Sequence, residues 1–186
     1  LPQQQTIRDI LEAGAVSIVV KDNELKNTLE NIGKKPKLVI TDSQAFGKVS
    51  KDTPEDILLT SFSILFAGYK GDIQTFLHGA KAIASLTENS TVLIAEACAH
   101  APTTEEIPRL LRQRVGQGLS FTFLRGNDFP QDLSPYDLII HCGACMFNRR
   151  HVIHRIAQAN AQGIPISNYG VVLAYLTGIL DQVSHT

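Results

Sequence analysis

The residues of this chain whose types and spacing could do chemistry fall in two short runs, Glu-Ala-Cys98-Ala-His100 and His141-Cys142-Gly-Ala-Cys145. Thiols and imidazoles are ligands for soft metals, and a C-x-x-C pair is also a candidate redox dithiol. Each run directly follows an apolar, β-like stretch, residues 91–96 and 136–140. Two strand ends could therefore bring three thiols and two imidazoles together.

Three chemistries can use such a set. A closed structural zinc site needs four ligands, and Cys98, Cys142, Cys145 and one histidine would complete a Cys3His tetrahedron. A thiol-disulfide centre would use Cys142 and Cys145 alone, because strand, C-x-x-C and helix in that order resemble a thioredoxin-like active site. That use leaves Cys98 and both neighbouring histidines without a role. An iron–sulfur cluster held by three thiolates would keep its fourth iron position for a weaker ligand: His100, His141, or one of the carboxylates Glu105 and Glu106. Spacing alone leaves zinc and iron–sulfur open.

The elements that must position these residues alternate. In the first part, residues 15–20 and 37–41 look like strands, separated by a helix over 23–32 that Gly33 ends. Thr53 followed by Pro54, Glu55 and Asp56 predicts a helix over 54–67, with a cap, a proline in the first turn and acids at the positive end of the dipole. Its many apolar residues call for cover on more than one side, from this chain or from a dimer partner. A second helix is predicted over 72–86, and the polar segment 87–90 marks a boundary. Strands then follow at 91–96, 119–124, 136–140 and 164–167, with helices at 105–115, 147–161 and 169–180.

This pattern predicts an α/β protein of two small domains, 1–86 and 87–186. The second is a parallel sheet with helices on both faces and the site at the carboxyl ends of its strands. Cys98 and His100 follow one strand, His141, Cys142 and Cys145 another, and Asn168 and Tyr169 a third. Arg149 and Arg150 open the helix after Cys145, the wrong end of the dipole for cations. An anionic neighbour would explain them, and two solvent-facing arginines are the ordinary alternative. With Asn168 and Tyr169 they are candidates for contacts just outside the ligand set. His78, His151 and His154 lie on helices outside the ligand runs and are expected to be surface or packing residues.

Composition narrows the partners. The 186 residues are 44% hydrophobic, enough for a real core, and the formal net charge of −1 offers no basic footprint for nucleic acid. No run approaches the roughly 20 apolar residues of a membrane span. No signal sequence is evident, so a cytoplasmic, reducing setting is expected, which suits unpaired thiols. The chain opens on Leu1, and a piece of something longer is expected.

The stretches around Cys98, Ile107-Pro108-Arg109-Leu110-Leu111, Tyr136 through Arg150, and Pro165-Ile166-Ser167-Asn168-Tyr169-Gly170 together resemble the C-terminal half of the FeFe-hydrogenase maturation GTPase family. The C-x-H then H-C-x-x-C pattern is its most specific part. The resemblance implies a dimerisation domain followed by a cluster-binding domain. It implies a 4Fe–4S cluster on Cys98, Cys142 and Cys145 with an exchangeable fourth ligand, and a transient diiron precursor delivered to apo FeFe-hydrogenase. Radical-SAM maturases and a second copy of the chain would be its other partners. No G-x-x-x-x-G-K-[ST] motif occurs, so this chain is expected to be a scaffold and not a GTPase.

Overall fold

Branched and leucine-rich runs bounded by polar turns build two parallel sheets, and the second carries the candidate site. The computed structural model describes residues 2–42, 45–96, 105–144, 147–178 and 180. The first part runs α1 (Pro2–Glu12), α2 (Leu25–Asn31), β1 (Leu38–Thr41), α3 (Phe46–Asp52), β2 (Leu58–Ser61) and α4 (Phe62–Lys70). β1 and β2 pair in parallel, from Leu38 opposite Leu58 to Thr41 opposite Ser61, with α3 in the crossover that parallel strands require.

Two expectations for this part fail. Residues 15–20 have the residue types of a strand yet form none, and Val16 and Val19 are 85% and 74% exposed. A strand exists through its partner's hydrogen bonds, and among the described residues no strand pairs with this run. The expected helix over 54–67 is two elements. Pro54 opens a turn that the Ile57 N–H closes on its carbonyl, Leu58–Ser61 joins β1, and the Ser61 hydroxyl caps α4 by accepting from the Ile64 N–H at 3.3 Å. Thr53 is no N-cap; it ends α3, its hydroxyl donating to the Val49 carbonyl. A short apolar run reads equally well as strand or helix, and the free edge of β1 decides between them. α1 and α3 were not foreseen.

The second part runs α5 (Ile73–Lys81), a 3₁₀ turn (Ala82–Ser85), β3 (Thr91–Glu96), α6 (Glu106–Val115), β4 (Ser120–Arg125), β5 (Leu138–His141), α7 (Arg149–Ala161), β6 (Ile166–Asn168) and α8 (Tyr169–Leu176). The expected helix over 72–86 thus tightens into a 3₁₀ turn in its last stretch. All four strands are parallel, in the order β4-β3-β5-β6. Val92, Leu93 and Ile94 of β3 and Leu138, Ile139 and Ile140 of β5 are fully buried, the near-continuous apolar runs of strands covered on both faces. The α/β fold with a helix-flanked parallel sheet is as the sequence predicts.

The step from β3 to β4 through α6 and the step from β5 to β6 through α7 run in opposite directions from the sheet centre. Right-handed crossovers therefore put α6 and α7 on opposite faces. α8 packs beside α5 and α6, and α5 lies along β6. The Ser167 hydroxyl donates to the Phe76 carbonyl at 2.7 Å, and Gly79 rests against the backbone of Ile166 so closely that no Cβ would fit between them. Alanine normally favours a helix interior over glycine by about 1 kcal/mol, but here its methyl group must push backbone aside, at roughly 1–3 kcal/mol. Gly79→Ala is expected to lower the thermal unfolding midpoint; an unchanged or raised midpoint would mean that α5 stands off β6.

Candidate functional site

The strand order makes the carboxyl ends of β3 and β5 the switch point of this sheet. Ligands of open parallel sheets collect at such a switch point. Cys142 stands there. It is the first residue after β5, it is buried, and its N–H donates to the Ala95 carbonyl of β3 at 3.0 Å. Ala95 is opposite His141 in the register, so β3 ends beside Cys142. Cys98, His100, Cys145 and the segment 97–104 lie outside the described residues. Among the described residues no three His, Cys, Asp or Glu side chains form a group able to hold a metal ion.

His141 is almost wholly buried beside this cysteine. Its Nδ1 lies 2.7 Å from the Cys142 carbonyl oxygen, which can only accept, and its Nε2 lies 2.8 Å from the Arg155 guanidinium Nη1, which can only donate. Both contacts are satisfied by one species, the neutral imidazole protonated on Nδ1. Burial holds His141 down at about 4; its bond to the Cys142 carbonyl opposes this, and the charges of Arg155 and His151 add to it. Both ring nitrogens are thus engaged within the protein.

Arg155 is 2% exposed. Its Nη2 donates to the Gly126 carbonyl at 2.9 Å, its Nε has no partner among the described residues, and its guanidinium lies 4.8 Å and 5.1 Å from the ring centres of Phe129 and Phe147. Burial works against the charged guanidinium, whereas Cys142 favours it. Glu96, at the end of β3, is also buried; it accepts from the Arg125 Nε at 3.1 Å and faces the Tyr169 hydroxyl at 3.4 Å. Burial, then Glu96 and Cys142, push the Tyr169 phenol up, so it stays neutral.

The loop that follows Cys142 is held from the first part of the chain. Ala144 takes a left-handed backbone (φ 51°), uncommon for a residue with a Cβ. The Lys70 ammonium at the end of α4 donates to the carbonyls of Ala144 and Phe147 at 2.9 and 2.8 Å, one on each side of Cys145 in the sequence. In return the Arg149 guanidinium donates to the carbonyls of Tyr69 and Gly71 at 2.7 and 3.1 Å. The Arg149 guanidinium thus meets the negative end of α4. Arg150 is exposed.

Asn168 lies opposite His141 in the β5–β6 register, and its side chain caps α8 by accepting from the Val171 N–H at 2.9 Å. Glu105 and Glu106 begin α6, Glu105 exposed and Glu106 half-buried. His78 is exposed, as expected, and the half-buried ring of His151 packs on Phe147 at 4.2 Å. Sequence reasoning missed Arg155, Lys70 and Glu96. Arg155 had a legible signal: with Val152, Ile156 and Ala159 it fills the i, i+3, i+4, i+7 stripe that α7 buries, and an arginine there is out of place.

The family comparison fits this geometry. Residues 1–71 match the hydrogen maturase F dimerization domain, and residues 74–185 match the hydrogen maturase F tetramerization domain. The chain belongs to the hydrogen maturase F family. It therefore takes part in hydrogenase maturation, and it carries two self-association modules of that family. No curated relative matches the chain. The two matched regions of this maturase meet between Gly71 and Gln74, at the α4–α5 turn where Lys70 and Arg149 exchange partners; the boundary expected near residue 86 lies further along, after α5 and the 3₁₀ turn. No helix among the described residues is long and apolar enough to cross a membrane.

Lys70→Met removes a charged donor from two carbonyls. It is expected to destabilise the protein by about 2 kcal/mol and to speed amide exchange at 143–147; unchanged exchange there would show that α4 does not hold the loop. His141 supplies a pH signature in the metal-free protein. The unfolded imidazole binds a proton near pH 6.5 and the folded one only near 4. Stability is therefore full above pH 6.5 and is lost as pH falls to 4, by about 3 kcal/mol. Urea unfolding of wild type and His141→Gln across that range should show this loss only in wild type, and parallel pH profiles would contradict a buried neutral His141.

Proposed function

We propose that this chain is the cluster-carrying part of a hydrogen maturase. It holds a 4Fe–4S cluster through Cys98, Cys142 and Cys145, keeps an exchangeable fourth position, and passes a diiron precursor to apo FeFe-hydrogenase. The observation that carries the reading is the position of Cys142 at the β3/β5 switch point, with β3 ending beside it two residues before Cys98 in the sequence. A donor set of three sulfurs suits iron or zinc far better than a hard cation. Buried Arg155, whose Nε has no partner among the described residues, supports the reading of an anionic thiolate-bound group here.

When bound, the cluster supplies an iron whose weak fourth ligand can give way to an incoming group. The chain's own residues bind and orient. Lys70 fixes the carbonyls on either side of Cys145, Tyr169 keeps a neutral hydroxyl on Glu96, and the buried strands beneath exclude water. With both nitrogens of His141 occupied, His100, Glu105 and Glu106 remain as candidates for the fourth position. The chain would dimerise through its first domain, where the exposed Val16, Ile18 and Val19 offer an apolar run that pairs with no strand among the described residues. The chain would work in the cytoplasm beside radical-SAM maturases.

Anaerobic reconstitution with iron and sulfide, followed by metal and sulfide analysis and electron paramagnetic resonance of the reduced protein, tests this. About four irons per chain are expected, lost or sharply reduced in Cys98→Ser, Cys142→Ser and Cys145→Ser and retained in His78→Ala. Full iron and sulfide in Cys98→Ser would overturn the ligand set. Tight zinc without sulfide would make the site a structural zinc centre.

A further inference from the structure

Arg155 is out of place by ordinary rules. It occupies the buried stripe of α7, and no ion pair joins it to a carboxylate among the described residues. Buried Glu96, the carboxylate at the neighbouring strand end, pairs instead with Arg125, whose side chain is 74% exposed. An uncompensated buried charge costs several kcal/mol, and a fold of marginal stability keeps one only where something offsets it. Carbonyl and imidazole acceptors and two phenyl faces soften that cost, but none of them carries a negative charge.

The group that favours the guanidinium's charge is Cys142. His141 connects the two: it is bonded to the carbonyl of Cys142 on one side and to the guanidinium on the other. Its imidazole thus acts as a spacer that fixes the cation relative to the sulfur-bearing residue.

We propose that Arg155 is the buried counter-charge for an anionic, thiolate-bound metal group at Cys142, and that His141 positions this arginine and is not itself a ligand. This rests on the reading that Cys142 binds metal, and it assigns Arg155 and His141 roles that reading does not contain. A cation fixed near a thiolate-ligated group stabilises the form with more negative charge. For a cluster that is the reduced form, so Arg155 raises the reduction potential. For a simple thiolate–metal complex it raises affinity, because binding turns neutral thiols into an anionic complex.

The test compares wild type, Arg155→Met, Arg155→Lys and His141→Gln in the full 186-residue chain. The metal-free melting temperature of Arg155→Met is expected to equal or exceed that of wild type, since a similar volume replaces a buried charge. Zinc affinity, read by competition with a chromophoric chelator, should fall about tenfold in Arg155→Met and stay near wild type in Arg155→Lys. The potential of the reconstituted cluster should fall in Arg155→Met. His141→Gln should keep the full iron load and any strong nitrogen coupling in the reduced spectrum.

A metal-free protein that melts lower in Arg155→Met, with zinc affinity and potential unchanged, would make Arg155 a packing residue and overturn the proposal. Loss of the nitrogen coupling or of iron in His141→Gln would make His141 a ligand. If wild type binds zinc tightly but takes up no iron and sulfide, the cluster reading fails, and the zinc comparison alone decides the role of Arg155.

Discussion

The pairing of β3 with β5 is the constraint on which the rest of this molecule depends. These two strands are buried on both faces, and the chain leaves them in opposite directions, to β4 on one side and to β6 on the other. The switch point at their carboxyl ends is therefore a product of topology before any side chain is considered. The register then sets what faces it. Ala95 opposite His141 places the end of β3 beside Cys142, and a slip of one residue would turn His141 and Glu96 to the other face.

Around that switch point the chain buries groups that globular proteins ordinarily keep at the surface. Glu96, His141, Arg155 and Asn168 are each at most 2% exposed. Each has a partner: Arg125 and Tyr169 for Glu96, the Cys142 carbonyl and Arg155 for His141, the α8 amide for Asn168. The arrangement is asymmetric. The negative charge of Glu96 is matched by a cation, while the contacts of the Arg155 guanidinium among the described residues are with dipoles and aromatic faces. A polar network that is almost but not wholly satisfied is a cost to the fold that holds it.

The two oligomerisation modules of this hydrogen maturase meet at the same place. Lys70, the last residue of α4, bonds the loop after Cys142, and Arg149, the first residue of α7, bonds the end of α4. Each cation satisfies carbonyls that a helix end or a tight loop leaves without partners. A displacement of α4 would thus be felt directly by the loop between Cys142 and Cys145, which gives the first module a physical route to the site through two cations.

The sequence by itself determined the second sheet almost element by element, because β3 and β5 are near-continuous apolar runs and α7 and α8 open on asparagine caps. It also marked Cys142, by placing a C-x-x-C after a strand and before a helix. It misread the first part, where 15–20 has strand-like residues without a partner and Leu58–Ser61 becomes a strand only because β1 offers an edge; both outcomes depend on pairing, which local pattern does not contain. Tertiary structure alone decided that both nitrogens of His141 are hydrogen-bonded, that Arg149 faces α4, that Lys70 holds the loop after Cys142, and that Arg155 is buried against His141. Their roles depend on groups distant in the chain, and hydrogen-bond geometry and burial arise only when those segments meet.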